Sequence, residues 1–198
     1  MTGEKNRYDF NSMNYVTMYY NHHQHMLNSL AKGYEKKLKI AGFVKGKILD
    51  AGCAFGGLSM YICETFPEIE AVGVDFSQKQ VDFATKQAKS VQSRDRITFI
   101  KADVQQLPFE DNSFDAVFNI NVAHLIENPI KMFNEFERVL KPDGKVFIKD
   151  LRKSFLRVIE SEISYSFTAY EASKLISQSN LRKGKFSTSP LWWNYEVT

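Results

Sequence analysis

The sequence predicts an α/β fold, a doubly wound parallel sheet with helices on both faces, and three observations carry that prediction. Apolar β-like runs alternate with stretches of helical period from Lys47 to Asp150. The first junction, Gly52-Cys53-Ala54-Phe55-Gly56-Gly57, is a turn of mostly small residues between a strand and a helix, the arrangement that presents backbone N–H groups to a ligand. Asp50, Asp75, Asp103, Asn119 and Asp150 stand at or just beyond the ends of successive strands, the rim where such sheets bind ligands.

The elements follow in order. Met1 to Phe10 is charged and expected to fray. From Asn11 the pattern is amphipathic, with Met13, Val16, Met18, Tyr19 and Tyr20 leading into Asn21-His22-His23-Gln24-His25 and then Met26, Leu27 and Leu30. Two helical pieces are expected there, ended by Gly42 and Gly46, so that residues 1–45 form a helical cap or lid and 46–198 the main domain. Ile48 and Leu49 open the first strand, and Leu58, Tyr61, Ile62 and Phe66 mark a helix that Pro67 stops. Ile69–Asp75 is the second strand, and Ser77 caps a helix over Gln78–Lys89. Ile97–Lys101 and Phe114–Ile120 are the third and fourth strands, joined by a loop over Asp103–Asn112. Pro129 suits the first turn of a helix reaching Leu140, Lys141-Pro142-Asp143-Gly144 reads as a turn, and Lys145–Asp150 as strand five. Beyond it, a short helix is expected over Phe155–Ile163. Thr168 and Glu171 make a capping box for Ala169–Ser179, and Lys185–Ser189 with Trp192–Val197 form an antiparallel edge pair.

Composition limits the functions available. A chain of 198 residues, 43% hydrophobic and 25% charged, has ordinary globular composition for one domain. A net charge of +3 without a dense basic block argues against a nucleic-acid partner. No apolar run nears the roughly 18 residues that span a bilayer, and Met1 to Asn14 lacks the apolar centre of a secretory signal. Cys53 and Cys63 are the only cysteines, too far apart for a disulfide if one lies in the turn and the other well down the helix. A reduced, cytoplasmic protein is the expectation, with no membrane partner.

The turn has two readings. It fits a dinucleotide pattern, G-x-A-x-x-G, with Asp75 near the distance for a ribose. Asp50 argues against that, because a carboxylate just before the turn opposes the charges of a pyrophosphate and suits a cationic ligand without phosphate. Ile48-Leu49-Asp50-Ala51-Gly52-Cys53-Ala54-Phe55-Gly56 resembles the first motif of class I S-adenosylmethionine-dependent methyltransferases. Val72-Gly73-Val74-Asp75-Phe76-Ser77 is similar to their second motif and Ala102-Asp103-Val104 to their third. Leu107 to Asp115 resembles the run before strand four in the small-molecule (type 11-like) branch, and Arg138 to Gly144 the turn into strand five. The likeness covers Gly46 to Asp150 and departs at Ala54, often a second glycine in the family; an extra methyl is tolerable there if φ stays negative.

The resemblance implies a Rossmann-like, seven-stranded, mostly parallel sheet, with S-adenosylmethionine as methyl donor. It implies that Asp50, Ala51, Gly52, Cys53 and Gly56 cradle the methionine end, while Asp75 accepts the ribose hydroxyls beside Ser77. Phe76 would lie against adenine, Asp103 and Val104 would contact the adenine edge, and Asn119 would reach the methionine portion. For Asp75 and Asp103 the alternative is a solvated loop acid, and for Phe76 a core aromatic.

Methyl transfer chiefly needs alignment, and a base only if the acceptor must lose a proton. His124, after strand four, is the candidate base or acceptor-positioning group, with a structural histidine as the alternative. Tyr15, Tyr19, Tyr20, His22 and His23 are candidates for a lid over cofactor and substrate, or for a plain amphipathic cover. His22 and His25 share a helical face without a spaced carboxylate, so no metal site is expected. Arg152 could meet an acidic acceptor or make a surface salt bridge. No Asn/Asp-Pro-Pro-aromatic sequence follows strand four and no large insertion follows strand five, which points to a small-molecule acceptor at a shallow site in a monomer or homodimer. The other readings are a cofactor-binding regulatory subunit and a nicotinamide-dependent reductase.

Overall fold

The computed structural model describes residues 12–153 and 165–198. The elements are α1 (Met13–Ile40), β1 (Lys45–Ala51), α2 (Gly57–Thr65), β2 (Glu68–Asp75), α3 (Gln78–Ala88), β3 (Ile97–Lys101), β4 (Phe114–Ile120), α4 (Pro129–Val139), β5 (Leu140–Leu151), α5 (Ala169–Ser177), β6 (Lys185–Thr188) and β7 (Trp192–Val197). The strands form one sheet in the order β3-β2-β1-β4-β5-β7-β6, parallel except for β7, which runs antiparallel to both neighbours. This is the predicted seven-stranded, mostly parallel α/β architecture. The chain divides into two compact units after Asp103. The expected helix over Phe155–Ile163 and the stretch Met1–Phe10 lie outside the described residues.

In the first unit, α1 is one continuous helix of 28 residues, not the two pieces expected. No proline interrupts Met13–Ile40, and a single internal glycine, Gly33, costs only about 1 kcal/mol against alanine. Val16, Ala31, Tyr34 and Leu38 are its buried residues. Its end follows helix-termination chemistry: Phe43 N–H donates to the Leu38 carbonyl and Gly42 N–H to the Lys39 carbonyl. Gly42 adopts φ 66, and the buried Phe43 and Leu38 sit at the positions whose apolar contact accompanies this cap. Tyr61 of α2 donates to Glu35 of α1 at 2.5 Å. β1, β2 and β3 pair in parallel register, Asp50 opposite Gly73 and Asp75 opposite Lys101. Arg96 donates to the carbonyls of Cys63, Phe66 and Ile69, closing the C-terminus of α2. Ser77 caps α3 through Gln80 N–H, as its sequence position predicts.

The second unit holds the heavier aromatic core. Phe118 and Phe147 stack at 4.9 Å on neighbouring strands, and Trp193 is fully buried against Phe186. Each such side chain contributes roughly 1.5–3 kcal/mol by leaving water. α4 begins with Asn128 as cap and Pro129 in its first turn, as expected, and α5 carries the predicted Thr168–Glu171 capping box. Lys141–Gly144 is not a turn before the fifth strand. It lies inside β5 as a bulge, since the ladder passes from Phe114↔Leu140 directly to Ala116↔Lys145. Three extra residues on one strand bend it without ending it, and Lys141 Nζ bonds Asp115 at 2.8 Å across the bulge.

Cys53 and Cys63 are buried free thiols, as the spacing predicts. Burial pushes the Cys63 thiol up to about 12 and the Cys53 thiol well above its ordinary value.

Candidate active site

In the first unit the rim is built around two carboxylates. Asp50, in β1, is 4% exposed, and its Oδ2 accepts from Ser59 Oγ at 2.7 Å. Burial raises it to about 6, because a carboxylate deprived of water favours its neutral form. The next turn is held to β2, Gly52 and Cys53 N–H both donating to the Val74 carbonyl. Gly52, at φ 83, therefore has its N–H committed to β2, while Ala51 continues the buried end of β1.

Ala54 follows with φ 45, so the condition of a negative φ under which its methyl is tolerable is not met. Its N–H donates to Asp75 Oδ2 at 3.0 Å. Gly56 also has positive φ (75), and a Cβ built on it would fall 2.3 Å from the Phe99 ring, so this site needs glycine on two counts. Asp75 Oδ1 accepts from Ser77 N–H at 2.9 Å. With each oxygen fixed by one backbone N–H, the carboxylate keeps lone pairs for a ligand's hydroxyl groups. Burial outweighs those bonds and moves it above the usual carboxylate range. Phe76 is 67% exposed beside this carboxylate, with Lys101 Nζ 6.0 Å from its ring centre, so it is not the core aromatic of the alternative reading. Asp103 follows β3 with an exposed side chain.

α1 brings its aromatic residues to the same turn. Phe55, 2% exposed, meets Tyr20 edge-on at 5.1 Å and Tyr19 at 6.2 Å. Tyr19 stacks with Tyr15 and lies 4.2 Å from the His23 ring, which His22 meets at 4.9 Å. An open surface depression borders Asn14, Thr17, Met18, Asn21 and His22 on one stripe of α1. Among the described residues no group of histidine, cysteine and carboxylate side chains has metal-binding geometry.

In the second unit, Val104 and Asn119 are buried. His124 sits in a short 3-10 turn after β4, and its side chain is 1% exposed. Its Nδ1 lies 2.6 Å from Asp150 Oδ1, and Asp150 Oδ2 accepts His124 N–H at 3.0 Å. Leu151 N–H also donates to Asp150 Oδ1 at 2.6 Å. An acceptor-only carboxylate surrounded by donors places a proton on His124 Nδ1. Asn121, between β4 and this turn, has φ 59. Arg152 is half-buried, tied through its N–H to the Leu191 carbonyl and through Nη2 to that of Pro190.

Sequence reasoning missed two partners. The Ser59 and Asp150 roles depend on contacts 9 and 26 residues apart in the chain. The signal for the second was available: a carboxylate at the end of strand five and a histidine after strand four stand on adjacent parallel strands.

Residues 49–148 match the family model described as a methyltransferase domain. Phosphoethanolamine N-methyltransferase 3 of Arabidopsis thaliana is 33% identical over 108 residues, 54% of this chain and 21% of that protein. A sterol 4-C-methyltransferase of Caenorhabditis elegans is 32% identical over 128 residues, 65% of this chain and 37% of its own. The chain thus spans well under half the length of these curated relatives. Among solved structures, a SAM dependent methyltransferase from Aquifex aeolicus has TM-score 0.71 at 21% identity, over 82% of this chain and 87% of that one. A Methanococcus maripaludis structure has TM-score 0.79 at 17% identity, over 100% of this chain and 96% of the other. These two likenesses are of fold.

Proposed function

The chain belongs to the methyltransferase domain family, and from that premise we propose that it is an S-adenosylmethionine-dependent methyltransferase acting on a small-molecule acceptor by in-line displacement. When bound, S-adenosylmethionine supplies an electrophilic methyl group and departs as neutral S-adenosylhomocysteine. The observation that carries the reading is the acidic rim of Asp50 and Asp75, a poor place for pyrophosphate and a good one for ribose hydroxyls and a cationic amino acid.

In this reading Asp75, aimed by the Ala54 and Ser77 N–H groups, accepts both ribose hydroxyls. The exposed face of Phe76 receives the adenine ring, Asp103 accepts from its amino group, and the Val104 N–H reaches a ring nitrogen. Asp50 draws the methionine ammonium electrostatically, with Ala51, Gly52, Cys53 and Gly56 lining the approach and Asn119 contacting the methionine portion. His124, held in one tautomer by Asp150, positions the acceptor or takes its proton. Tyr15, Tyr19, Tyr20, His22 and His23 close over the ligands from α1, the cap of residues 1–45. Arg152 meets an acidic group on the acceptor. The curated relatives act, by their names, on small molecules. Among the described residues no helix is long and apolar enough to cross a membrane. A cytoplasmic monomer or homodimer, with reduced Cys53 and Cys63, completes the proposal.

The test is calorimetric binding of S-adenosylhomocysteine to the parent and to Asp75→Ala. A loss of tenfold or more in a folded variant is expected, and equal affinity overturns the donor assignment. For His124, His124→Gln is expected to flatten the pH–rate profile, and an unchanged profile removes it as a base.

A further inference from the structure

We propose that Arg138 is a positioning residue for donor binding: gripped by Glu135, its guanidinium fixes the loop that begins with Asp103 and Val104. The inference rests on the reading of that loop as the adenine contact. Arg138 stands in the last turn of α4 and Glu135 one turn earlier. Nε and Nη2 of Arg138 reach the two oxygens of Glu135 at 2.8 and 2.7 Å, a bidentate pair. The same fork donates to the loop carbonyls of Leu107 at 3.0 Å and Phe109 at 2.7 Å, and to Asp111 Oδ1 at 2.8 Å. Glu135 in turn accepts Leu107 N–H at 2.8 Å. Main-chain bonds extend the grip, Asn112 N–H donating to the Arg138 carbonyl. At the other end of α4, Asn128 N–H donates to Gln105 Oε1.

Residues 105, 107, 109 and 111 are thus each fastened to α4 or its cap. The connection between β3 and β4 belongs to neither strand and borrows its shape from a helix. The pair is partly sheltered, with 31% and 18% side-chain exposure, and each partner stabilises the other's charge: Glu135 holds Arg138 well above its ordinary value, and Arg138 lowers Glu135. Arginine is required by geometry. Both Glu135 oxygens and two carbonyls are met by one planar fork, whereas a lysine ammonium is a point donor that cannot span them.

α4 also supplies its own control. Glu137 accepts from Arg182 Nε and Nη2 at 3.0 and 2.9 Å, and Arg182 donates to the Pro142 carbonyl. This second brace ties α4 to the segment after α5, and its hydrogen bonds run between Glu137, Arg182 and Pro142, outside the 104–112 loop.

The experiment compares the parent chain, Arg138→Lys and Arg182→Lys. Binding of S-adenosylhomocysteine and of 5′-methylthioadenosine is measured by calorimetry, and amide exchange is followed over residues 104–112. For Arg138→Lys, both ligands are expected to weaken about tenfold, since they share the adenosine that the loop contacts. Faster exchange is expected there, reversed by saturating S-adenosylhomocysteine. Arg182→Lys is expected to lower the thermal midpoint comparably and to keep both affinities within twofold. Affinities within twofold for Arg138→Lys, or an equal loss in both variants, overturn the positioning role and leave only a structural brace. A parent that binds neither ligand overturns the donor reading itself.

Discussion

Each unit of the molecule buries a carboxylate near the end of a strand, and the two are satisfied by different means. Asp150 accepts the His124 ring, the His124 N–H and the Leu151 N–H, so its charge is surrounded by donors. Asp50 is bonded by the hydroxyl and the backbone N–H of one residue, Ser59, with Asp75 as a like charge nearby. Asp150 is tied at several points of the chain, whereas Asp50 takes its bonds from one residue of α2 and burial raises its carboxyl. The difference separates a carboxylate braced from several sides from one braced from a single residue.

The comparison can be broken most severely at Asp150. Asp150→Ala removes the acceptor for three buried donors and is expected to cost about 3 kcal/mol or more in urea denaturation, since each donor left unsatisfied costs about 1–3 kcal/mol. Asp50→Asn is expected to act in the opposite sense at neutral pH. The folded-state value of Asp50, about 6, lies above its unfolded value, so the folded protein binds the extra proton. Stability contributed by this group is then present below the unfolded value and lost as pH rises toward 6. Asp50→Asn should flatten that decline and raise stability at pH 8 by on the order of 2 kcal/mol, while weakening S-adenosylhomocysteine binding. A parallel pH profile in variant and parent would place the titration elsewhere.

Ser59→Ala should sharpen the contrast by a smaller step. Loss of one bond to a buried charge is expected to cost about 1–2 kcal/mol at pH 8 and to move the stability decline to higher pH. The smallest effect is expected at Ala54→Gly. Relief of a left-handed alanine is offset by added chain entropy, for a net gain of about 0.5 kcal/mol or less in thermal denaturation.

The sequence made the elements readable where local chemistry decides them. Ser77, Pro129 and the Thr168–Glu171 box fall where their chemistry predicts, because a cap is satisfied within three residues. Lys141–Gly144 misled because Pro-Asp-Gly favours a turn, and a bulge inside a long strand uses the same residues. Reading α1 as two pieces misled for a related reason: its Asn and His run is a mediocre helix former, but α1 packs Tyr20 against Phe55 and buries Tyr34 as one helix. At the rim, strand ends made Asp50, Asp75, Asp103 and Asn119 visible as positions. The partners of Asp50 and Asp75 were not visible, because Ser59 and the Ala54 N–H are brought to them by tertiary folding. The left-handed Ala54 accompanies a bond to Asp75, 21 residues away, which local pattern does not reveal.

The two buried thiols make this chain its own clock. Cys53 lies in the turn and Cys63 in α2, both sealed and both with suppressed thiolate. Alkylation therefore proceeds only through openings that expose each sulfur. Labelling rates at the two positions, read separately by mass spectrometry, would time the loosening of the turn against that of the helix behind it. A ligand seated on the turn should slow the first clock more than the second.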